Sequence, residues 1–278
     1  MNRRNAKIVL VHRKLIPHPA AKTMRNTLTK NDTPIPRLLL NNPIFKATRS
    51  HEKRAPGTSS RITLGDAFYL DVPQQQLTQR HADALQLILG LVQEQNWHFL
   101  ELAQEEKIYE IPAKKLNAAA GYGTESQKNL DEALETLKGI EVRSTVAVTR
   151  GEWDGDYETK QEPMFALLEK RRNTYHVQLS LSLIIMMRRE RFSKVPNYCL
   201  ELKKSLSKAL CRCYTGLGGV RKVHDHKLTT IQEMAGLQEM PFNEFQKELK
   251  KALEELKKID FFKETKTQDR KLTVRMSD

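Results

Sequence analysis

The sequence has 278 residues, of which 39% are hydrophobic and 29% are charged, and its formal net charge is +13. A chain of this length suits about two domains of roughly 100 to 150 residues each. Its three cysteines, Cys199, Cys211 and Cys213, exclude a disulfide framework, and no apolar run approaches the roughly 20 residues of a membrane-spanning helix. We therefore expect a cytoplasmic protein with no membrane partner.

The charged residues are distributed in four blocks along the chain. Residues 1–60 carry 13 Lys and Arg against 2 Asp and Glu, and residues 61–169 carry 10 against 19. Residues 170–227 carry 14 against 3, and residues 228–278 carry 10 of each sign. The two strongly basic blocks indicate a polyanionic partner such as nucleic acid. The alternative is that these charges only solvate the surface.

Residues 1–60 show no sustained hydrophobic period, and six prolines interrupt any helix there: Pro17, Pro19, Pro34, Pro36, Pro43 and Pro56. We predict a flexible basic arm, largely disordered, over this range. Its apolar stretch at residues 37–45 is expected to dock on the folded body, with docking on a partner as the alternative.

Residues 61–190 contain a regular order of predicted elements. These are strands at residues 61–64 and 68–70, a helix from a Thr78 cap to about residue 95, a strand at 107–111, a short helix at 112–120, a longer helix at 124–138, and strands at 142–148, 164–168 and 175–181. The polar, acidic segment at 153–162 is predicted to be a loop between ribbon strands.

Residues 191–278 repeat this order. The predicted elements are a helix at 205–217, a short strand at 226–229, a short helix at 231–235, a longer helix from Pro241 to about residue 258, and a ribbon of strands at 261–265 and 271–276. The segments ALETLKGIEV (133–142) and ALEELKKIDF (252–261) share six of ten residues at an offset of 119 and end the longer helix in each half. Their common apolar residues are expected to hold each helix on its own core: Ala133, Leu134, Leu137 and Ile140 in the first copy, and Ala252, Leu253, Leu256 and Ile259 in the second.

A short helix, a turn and a longer helix form a helix-turn-helix, and a β-hairpin directly after it makes a winged helix. The sequence therefore predicts an α+β fold with two tandem winged-helix domains, residues 61–190 and 191–278, preceded by the basic arm. In such a unit the longer helix is the one that can lie in the major groove of DNA.

The outward faces of the two longer helices differ in charge. On the second, a helical wheel places Asn243, Lys247, Lys250, Lys251, Glu254 and Lys258 opposite the apolar stripe. On the first, the outward residues are Glu125, Lys128, Glu132, Glu135 and Thr136, whose carboxylates repel phosphates. We therefore assign the main DNA reading to residues 191–278, the alternative being that Lys247 and Lys250 only solvate an ordinary amphipathic helix.

Both predicted wings carry cations near the hairpin tip. The first wing has Lys170, Arg171 and Arg172, and the second has Lys266, Arg270 and Lys271. Such side chains can reach phosphates beside the groove that the helix occupies, which gives the first domain an auxiliary DNA contact. Basic tips are also common for solubility alone.

Candidate chemical sites are weak in this sequence. Cys211 and Cys213 with His224 and His226 suggest zinc, but the C-x-C spacing on a helix points the two thiols in different directions. The pair His224 and His226 also suggests a nicking enzyme with Tyr214 as nucleophile, although Tyr214 is predicted to be buried. The acidic pair at 154 and 156 is better explained as part of a loop than as a magnesium site. We therefore predict no catalytic residue, no metal and no cofactor.

The order and spacing of these elements resemble plasmid replication initiators of the tandem winged-helix TrfA type over roughly residues 37–278. The most specific pieces are Leu206-Ser207-Lys208-Ala209, the helix-turn-helix that follows, and Glu254-Glu255-Leu256 before the wing; Ile62-Thr63-Leu64 is similar to the start of the family's first domain. One piece departs from the family: a sliding-clamp motif would need an aromatic residue after Gln178-Leu179-Ser180-Leu181, where Ser182 stands.

The resemblance implies a protein of the bacterial cytoplasm that is not an enzyme. It implies binding to double-stranded DNA at repeated plasmid-origin sites called iterons, opening of an A·T-rich segment, and contact with host replication proteins, namely the helicase and the host initiator. It also implies a homodimer in equilibrium with a monomer, with the first domain supplying the dimer surface. Two alternatives stay open: a winged-helix transcriptional repressor, and a rolling-circle nicking enzyme.

Overall fold

The computed structural model describes residues 32–42, 44–47, 60–64, 68–72, 76–96, 98–100, 106–119, 124–147, 157–189, 192–217 and 223–277, all within one compact unit, Asn31–Asp278. In chain order the elements are β1 (Asp32–Pro36), α1 (Arg37–Asn41), β2 (Ser60–Thr63), β3 (Phe68–Val72), α2 (Gln79–Gln95), β4 (Tyr109–Pro112), α3 (Ala113–Ala119), α4 (Thr124–Lys138), β5 (Glu141–Ala147), β6 (Tyr157–Pro163), β7 (Phe165–Arg171), β8 (Thr174–Leu179), α5 (Leu181–Arg189), β9 (Phe192–Pro196), the 3₁₀ helix Asn197–Glu201, α6 (Ser205–Leu217), β10 (Val223–Lys227), α7 (Leu228–Met234), α8 (Phe242–Lys258), β11 (Phe262–Gln268) and β12 (Lys271–Met276).

Two winged-helix units with the same topology lie in this chain. The N-terminal unit consists of α2, β4, α3, α4, β7 and β8, and its antiparallel sheet has the order β4-β8-β7. The C-terminal unit consists of α6, β10, α7, α8, β11 and β12, and its sheet has the corresponding order β10-β12-β11. In each unit the first residue of the short helix donates its backbone N–H to the carbonyl of the hairpin turn at 2.8 Å: Ala113 to Asn173, and Leu228 to Arg270. The predicted repetition of the unit is therefore confirmed.

The N-terminal unit holds an insertion between its long helix and its wing. Strands β5 and β6 pair with each other and join β3 and β2 in a four-stranded antiparallel sheet of order β2-β3-β5-β6. The strand predicted at residues 142–148 thus belongs to this sheet rather than to the wing. The loop predicted at 153–162 is also wrong in part, because residues 157–163 form β6. A polar sequence can form this strand because β6 lies at the edge of the sheet, where its backbone pairs with β5.

The repeated decapeptide ends its helix differently in the two copies. In the first copy Ile140 is buried and leads straight into β5. In the second copy Ile259 is 37% exposed, so the expectation that it packs on the core is wrong. The chain turns there through Asp260, whose φ is 53°, and the Phe261 N–H bonds to the Leu256 carbonyl at 3.1 Å. This Schellman-type end sends Phe261 into the core in place of Ile259.

Part of the predicted arm is an ordered piece of the body. β1 pairs antiparallel with β9, from Asp32 opposite Pro196 to Pro36 opposite Phe192. The side chains of Leu39, Leu40, Ile44 and Phe45 are buried, which confirms docking of the apolar stretch at 37–45. The prediction of a flexible arm fails for residues 32–42 and 44–47. Prolines break helices but are tolerated in a strand that pairs on one side only, as β1 does here.

Candidate nucleic-acid interface

The long helix of the C-terminal unit, α8, exposes the predicted polar face. Asn243, Lys247, Lys250, Lys251 and Lys258 are exposed. The opposite face is buried and consists of Phe245, Leu249, Ala252 and Leu256. Within the described part of the chain Lys247 and Lys250 have no ion-pair partner, whereas Lys251 pairs with Glu248 at 2.9 Å. The helix therefore presents an amide and several ammonium groups to solvent, as base edges and phosphates require.

The orientation of α8 is set by a contact that sequence reasoning missed. The carboxylate of Glu255, on the flank of α8, accepts hydrogen bonds from the backbone N–H groups of Lys203 and Lys204 at 2.7 and 3.2 Å and from the Ser207 hydroxyl at 2.5 Å. These donors lie at the start of α6, so Glu255 caps that helix from a distance of about fifty residues in sequence. The two short motifs of the family resemblance, at 206–209 and 254–256, meet at this contact.

In the N-terminal unit the start of the corresponding helix, α2, is capped by residues close to it in sequence. At the start of α2 the Thr78 backbone N–H donates to His81 Nδ1 at 2.9 Å, which is one half of a capping box. The residue equivalent to Glu255 in the first copy of the repeat is Thr136, and its hydroxyl donates to the Glu132 carbonyl one turn earlier at 3.0 Å. One of the four differences within the repeat therefore has a structural cause.

The wing of the C-terminal unit lies beside the start of α8. Its hairpin turn is Asp269-Arg270, with φ values of 50° and 59°, the left-handed pair that suits a two-residue turn between twisted strands. The Arg270 guanidinium carbon lies 5.6 Å from the ring centre of Phe242, the first residue of α8. Lys271 follows the turn directly, and Lys266 lies further back on β11, opposite Thr273. Both lysines are exposed and have no ion-pair partner among the described residues.

The cations of the first wing are largely neutralised by carboxylates of α4 and of the wing itself. Lys170 Nζ lies 2.8 Å from Asp131 Oδ2 on α4, and Arg171 pairs with Glu169 at 2.9 Å. The Tyr175 hydroxyl donates to Asp131 Oδ1 as well. Burial and the Asp131 carboxylate raise the pKa of Tyr175 well above its usual value, so the phenol keeps its proton. Of the three predicted cations, only Arg172 is without an ion pair in the described part of the chain.

The outer face of α4 is acidic where the structure describes it. Glu132 and Glu135 are exposed, and Lys128 is the accompanying cation. The side chain of Glu125 lies outside the described residues. Near the helix start, Asn129 accepts a hydrogen bond from Arg80 of α2 at 3.0 Å. This face repels phosphates, in contrast with α8.

The cysteines and histidines that suggested zinc do not converge on one point. Within the described residues no group of three or more His, Cys, Asp or Glu side chains could hold a metal ion. Burial raises the pKa of Cys213 to about 12 and that of Cys211 well above its usual range, so both stay thiols at neutral pH. His224 and His226 stack on each other at 6.2 Å, and their rings contact the ring of Tyr214 edge-on.

Tyr214 is poorly placed to act as a nicking nucleophile. It is 1% exposed, and burial raises the pKa of its phenol well above the usual value. The clamp-like segment is likewise internal: Leu179 and Ser180 are buried, and the Ser182 N–H donates to Glu162 at 3.0 Å. The acidic pair at 154 and 156 lies outside the described residues. No helix among the described residues combines the length and the apolar character needed to cross a bilayer.

Comparison with solved structures finds the same architecture. The crystal structure of a selenomethionine derivative of domains 2 and 3 of RctB matches with a TM-score of 0.58 and 8% identity, covering 88% of this chain and 99% of that chain. A second structure of RctB domains 2–3 matches with a TM-score of 0.57 and 8% identity, covering 87% and 97%. The Pi initiator protein in complex with iteron DNA matches with a TM-score of 0.51 and 12% identity, covering 73% and 92%. No protein-family model and no curated protein matches the chain. The likeness confirms the predicted fold, an α+β tandem winged helix.

Proposed function

We propose that this protein is a plasmid replication initiator that binds iterons, the repeated double-stranded DNA sites of an origin. The observation that carries the proposal is the exposed cationic face of α8, flanked by the wing residues Lys266, Arg270 and Lys271. The same tandem fold occurs in the Pi initiator protein, which was solved in complex with iteron DNA. Asn243, Lys247, Lys250 and Lys251 make base and phosphate contacts in this proposal, and Lys258 contacts phosphate.

The two winged-helix units have different roles in this proposal. The C-terminal unit reads DNA, because most cations of α8 and of its wing have no ion-pair partner among the described residues. The N-terminal unit makes at most an auxiliary contact through Arg172, because Asp131 and Glu169 neutralise Lys170 and Arg171. It supplies instead the surface for a homodimer in equilibrium with the monomer.

Bound at the origin, the protein promotes opening of the duplex and recruits host replication proteins, the helicase and the host initiator. It does this without catalysis of its own in the bacterial cytoplasm. The buried, protonated Tyr214 argues against the alternative of a nicking enzyme.

The test is a gel shift at fixed salt with a duplex that contains the origin repeats. Lys247→Ala combined with Lys250→Ala should weaken specific binding by about 100-fold or more, because two groups that face the groove are removed. Lys128→Ala combined with Lys138→Ala is the matched control, since it removes the same charge from the exposed face of α4. If the two double variants bound the origin duplex with equal affinity, the assignment of α8 as the DNA-reading helix would be wrong.

A transcriptional repressor with this fold would pass the gel shift, so a second assay is needed. A plasmid that carries only the origin should replicate when the protein is supplied in trans and should fail without it. Binding without replication would favour the repressor.

A further inference from the structure

The turn of the second wing is attached to the helix-turn-helix at two points. The Arg270 carbonyl accepts the Leu228 N–H at 2.8 Å, which ties the turn to the first residue of α7. The Arg270 guanidinium lies over the ring of Phe242 at 5.6 Å, which ties it to the first residue of α8. A guanidinium over an aromatic face is attracted by the ring quadrupole and is more weakly hydrated than an ammonium. The long Arg270 side chain is thereby restricted to one region of the surface.

Phe242 is itself anchored. It packs on the core, and its ring centre lies 6.4 Å from that of Phe245, which is fully buried. The ring under Arg270 is therefore packed against the core side of α8.

The arrangement belongs to the C-terminal unit. In the N-terminal unit the same backbone hydrogen bond, Ala113 N–H to the Asn173 carbonyl at 2.8 Å, holds the turn in the same place. The residue at the position of Arg270 is there Asn173, which has no charge, and the two turns differ in backbone conformation, since φ is positive at Arg172 in the first but at both Asp269 and Arg270 in the second. The residue whose carbonyl accepts this hydrogen bond is thus a cation in the unit whose long helix is itself basic.

We propose that Phe242 is a positioning residue that holds Arg270 beside the first turn of α8, so that Arg270 binds a DNA phosphate next to the bases read by that helix. The inference rests on the proposed function and assigns a role to a residue with no charge of its own. Holding the guanidinium in place before binding lowers the entropy lost when the contact forms.

A double-mutant cycle on DNA affinity tests this. Phe242→Leu keeps an apolar anchor and removes the aromatic face, and we expect binding about 5-fold weaker. Arg270→Ala should weaken binding roughly 10-fold. In the Arg270→Ala background Phe242→Leu should have almost no further effect, and Phe242→Tyr should retain wild-type affinity. Lys266→Ala is the control for loss of one wing charge, and its effect should add to that of Phe242→Leu.

The salt dependence of binding separates positioning from loss of structure. Arg270→Ala should reduce the slope of log K against log salt by about 1. Phe242→Leu should also reduce it, although it removes no charge, whereas a loosened fold would leave the slope unchanged and lower the thermal midpoint. Additive effects in the cycle, or an unchanged slope for Phe242→Leu, would overturn the inference.

The measurements are made on the origin duplex and on a random duplex, because a phosphate contact does not depend on sequence. If the effects of Phe242→Leu and Arg270→Ala are additive while the wild type still binds the origin duplex more tightly than the random duplex, only the role of Phe242 is overturned. Equal affinity of the wild type for both duplexes, with a successful cycle, would overturn only the proposed origin specificity. Absence of binding to either duplex would overturn both.

Discussion

Asp83 on α2 and Arg212 on α6 form a buried ion pair that joins the two winged-helix units, with 2.5 Å between Asp83 Oδ1 and the Arg212 guanidinium. Lys208 Nζ lies 2.5 Å from the other carboxylate oxygen. Gln79 and Gln86 accept further hydrogen bonds from the guanidinium at 2.6 and 2.9 Å. Because Asp83 and Arg212 are 4% and 3% exposed, each is costly to leave without its partner.

Asp83→Ala should therefore lower the free energy of unfolding by about 3–5 kcal/mol, since it leaves two cations in a buried site. Chemical denaturation measures this change. Glu94→Ala is the control: Glu94 pairs with Lys115 at 2.6 Å, but both side chains are about half exposed, so its loss should cost at most about 1 kcal/mol. A similar loss of unfolding free energy in both variants would contradict a stabilising role for the Asp83–Arg212 ion pair.

Glu255→Gln should weaken the second unit although Glu255 lies on the flank of α8 and not on its DNA face. An uncharged amide is a poorer acceptor for the helix start of α6, and we expect a loss of about 1–3 kcal/mol in unfolding free energy. Glu254→Gln, at the neighbouring exposed position, is the matched control. It should leave stability unchanged and slightly strengthen DNA binding, because it removes a negative charge from the DNA face. A larger loss of unfolding free energy for Glu254→Gln than for Glu255→Gln would contradict the role of Glu255 in orienting α8.

The two wings should respond differently to loss of a lysine. Lys170→Ala should change DNA affinity less than 2-fold, roughly, because Asp131 already neutralises this cation. Lys271→Ala should weaken binding by about 5- to 10-fold, since Lys271 is exposed and without an ion pair in the described part of the chain. Gel shifts at one salt concentration compare them directly. If Lys170→Ala weakened DNA binding more than Lys271→Ala does, the first wing would be a DNA-contacting element.

The cysteines should resist alkylation in the native protein. Cys199, Cys211 and Cys213 are buried, which keeps the reagent from all three. Burial also raises the pKa of Cys213 to about 12 and that of Cys211 well above its usual range, so these two form little thiolate at pH 8. Denaturant should release all three thiols at once. Because the pKa of Cys213 is higher in the folded state, this thiol also contributes to the free energy of unfolding. The contribution is present below its unfolded-state pKa of about 8.5 and is lost as the pH rises toward 12. Rapid labelling of the native protein at pH 8 would contradict this burial.

Most of the helical architecture could be predicted because it depends on local periodicity. The apolar stripe of α8, with Phe245, Leu249, Ala252 and Leu256, repeats every three or four residues, so the opposite face with Lys247 and Lys250 followed from sequence. The shared decapeptide likewise indicated a duplicated unit. β6 was missed because an edge strand needs no apolar alternation, and β1 was missed because its prolines are acceptable only beside β9.

The sequence by itself determined that two winged-helix units exist, which face of α8 is polar, and that the second long helix is the more basic, since each property is written within one element. The tertiary structure decided which cations remain available, because Lys170 and Lys271 are the same residue type and differ only in the carboxylate that folding places beside one of them. It also decided how α8 is aimed and how the two units are joined. The contacts of Glu255 with the start of α6, and of Asp83 with Arg212, link residues 48 to 129 positions apart, and no local pattern encodes such pairings.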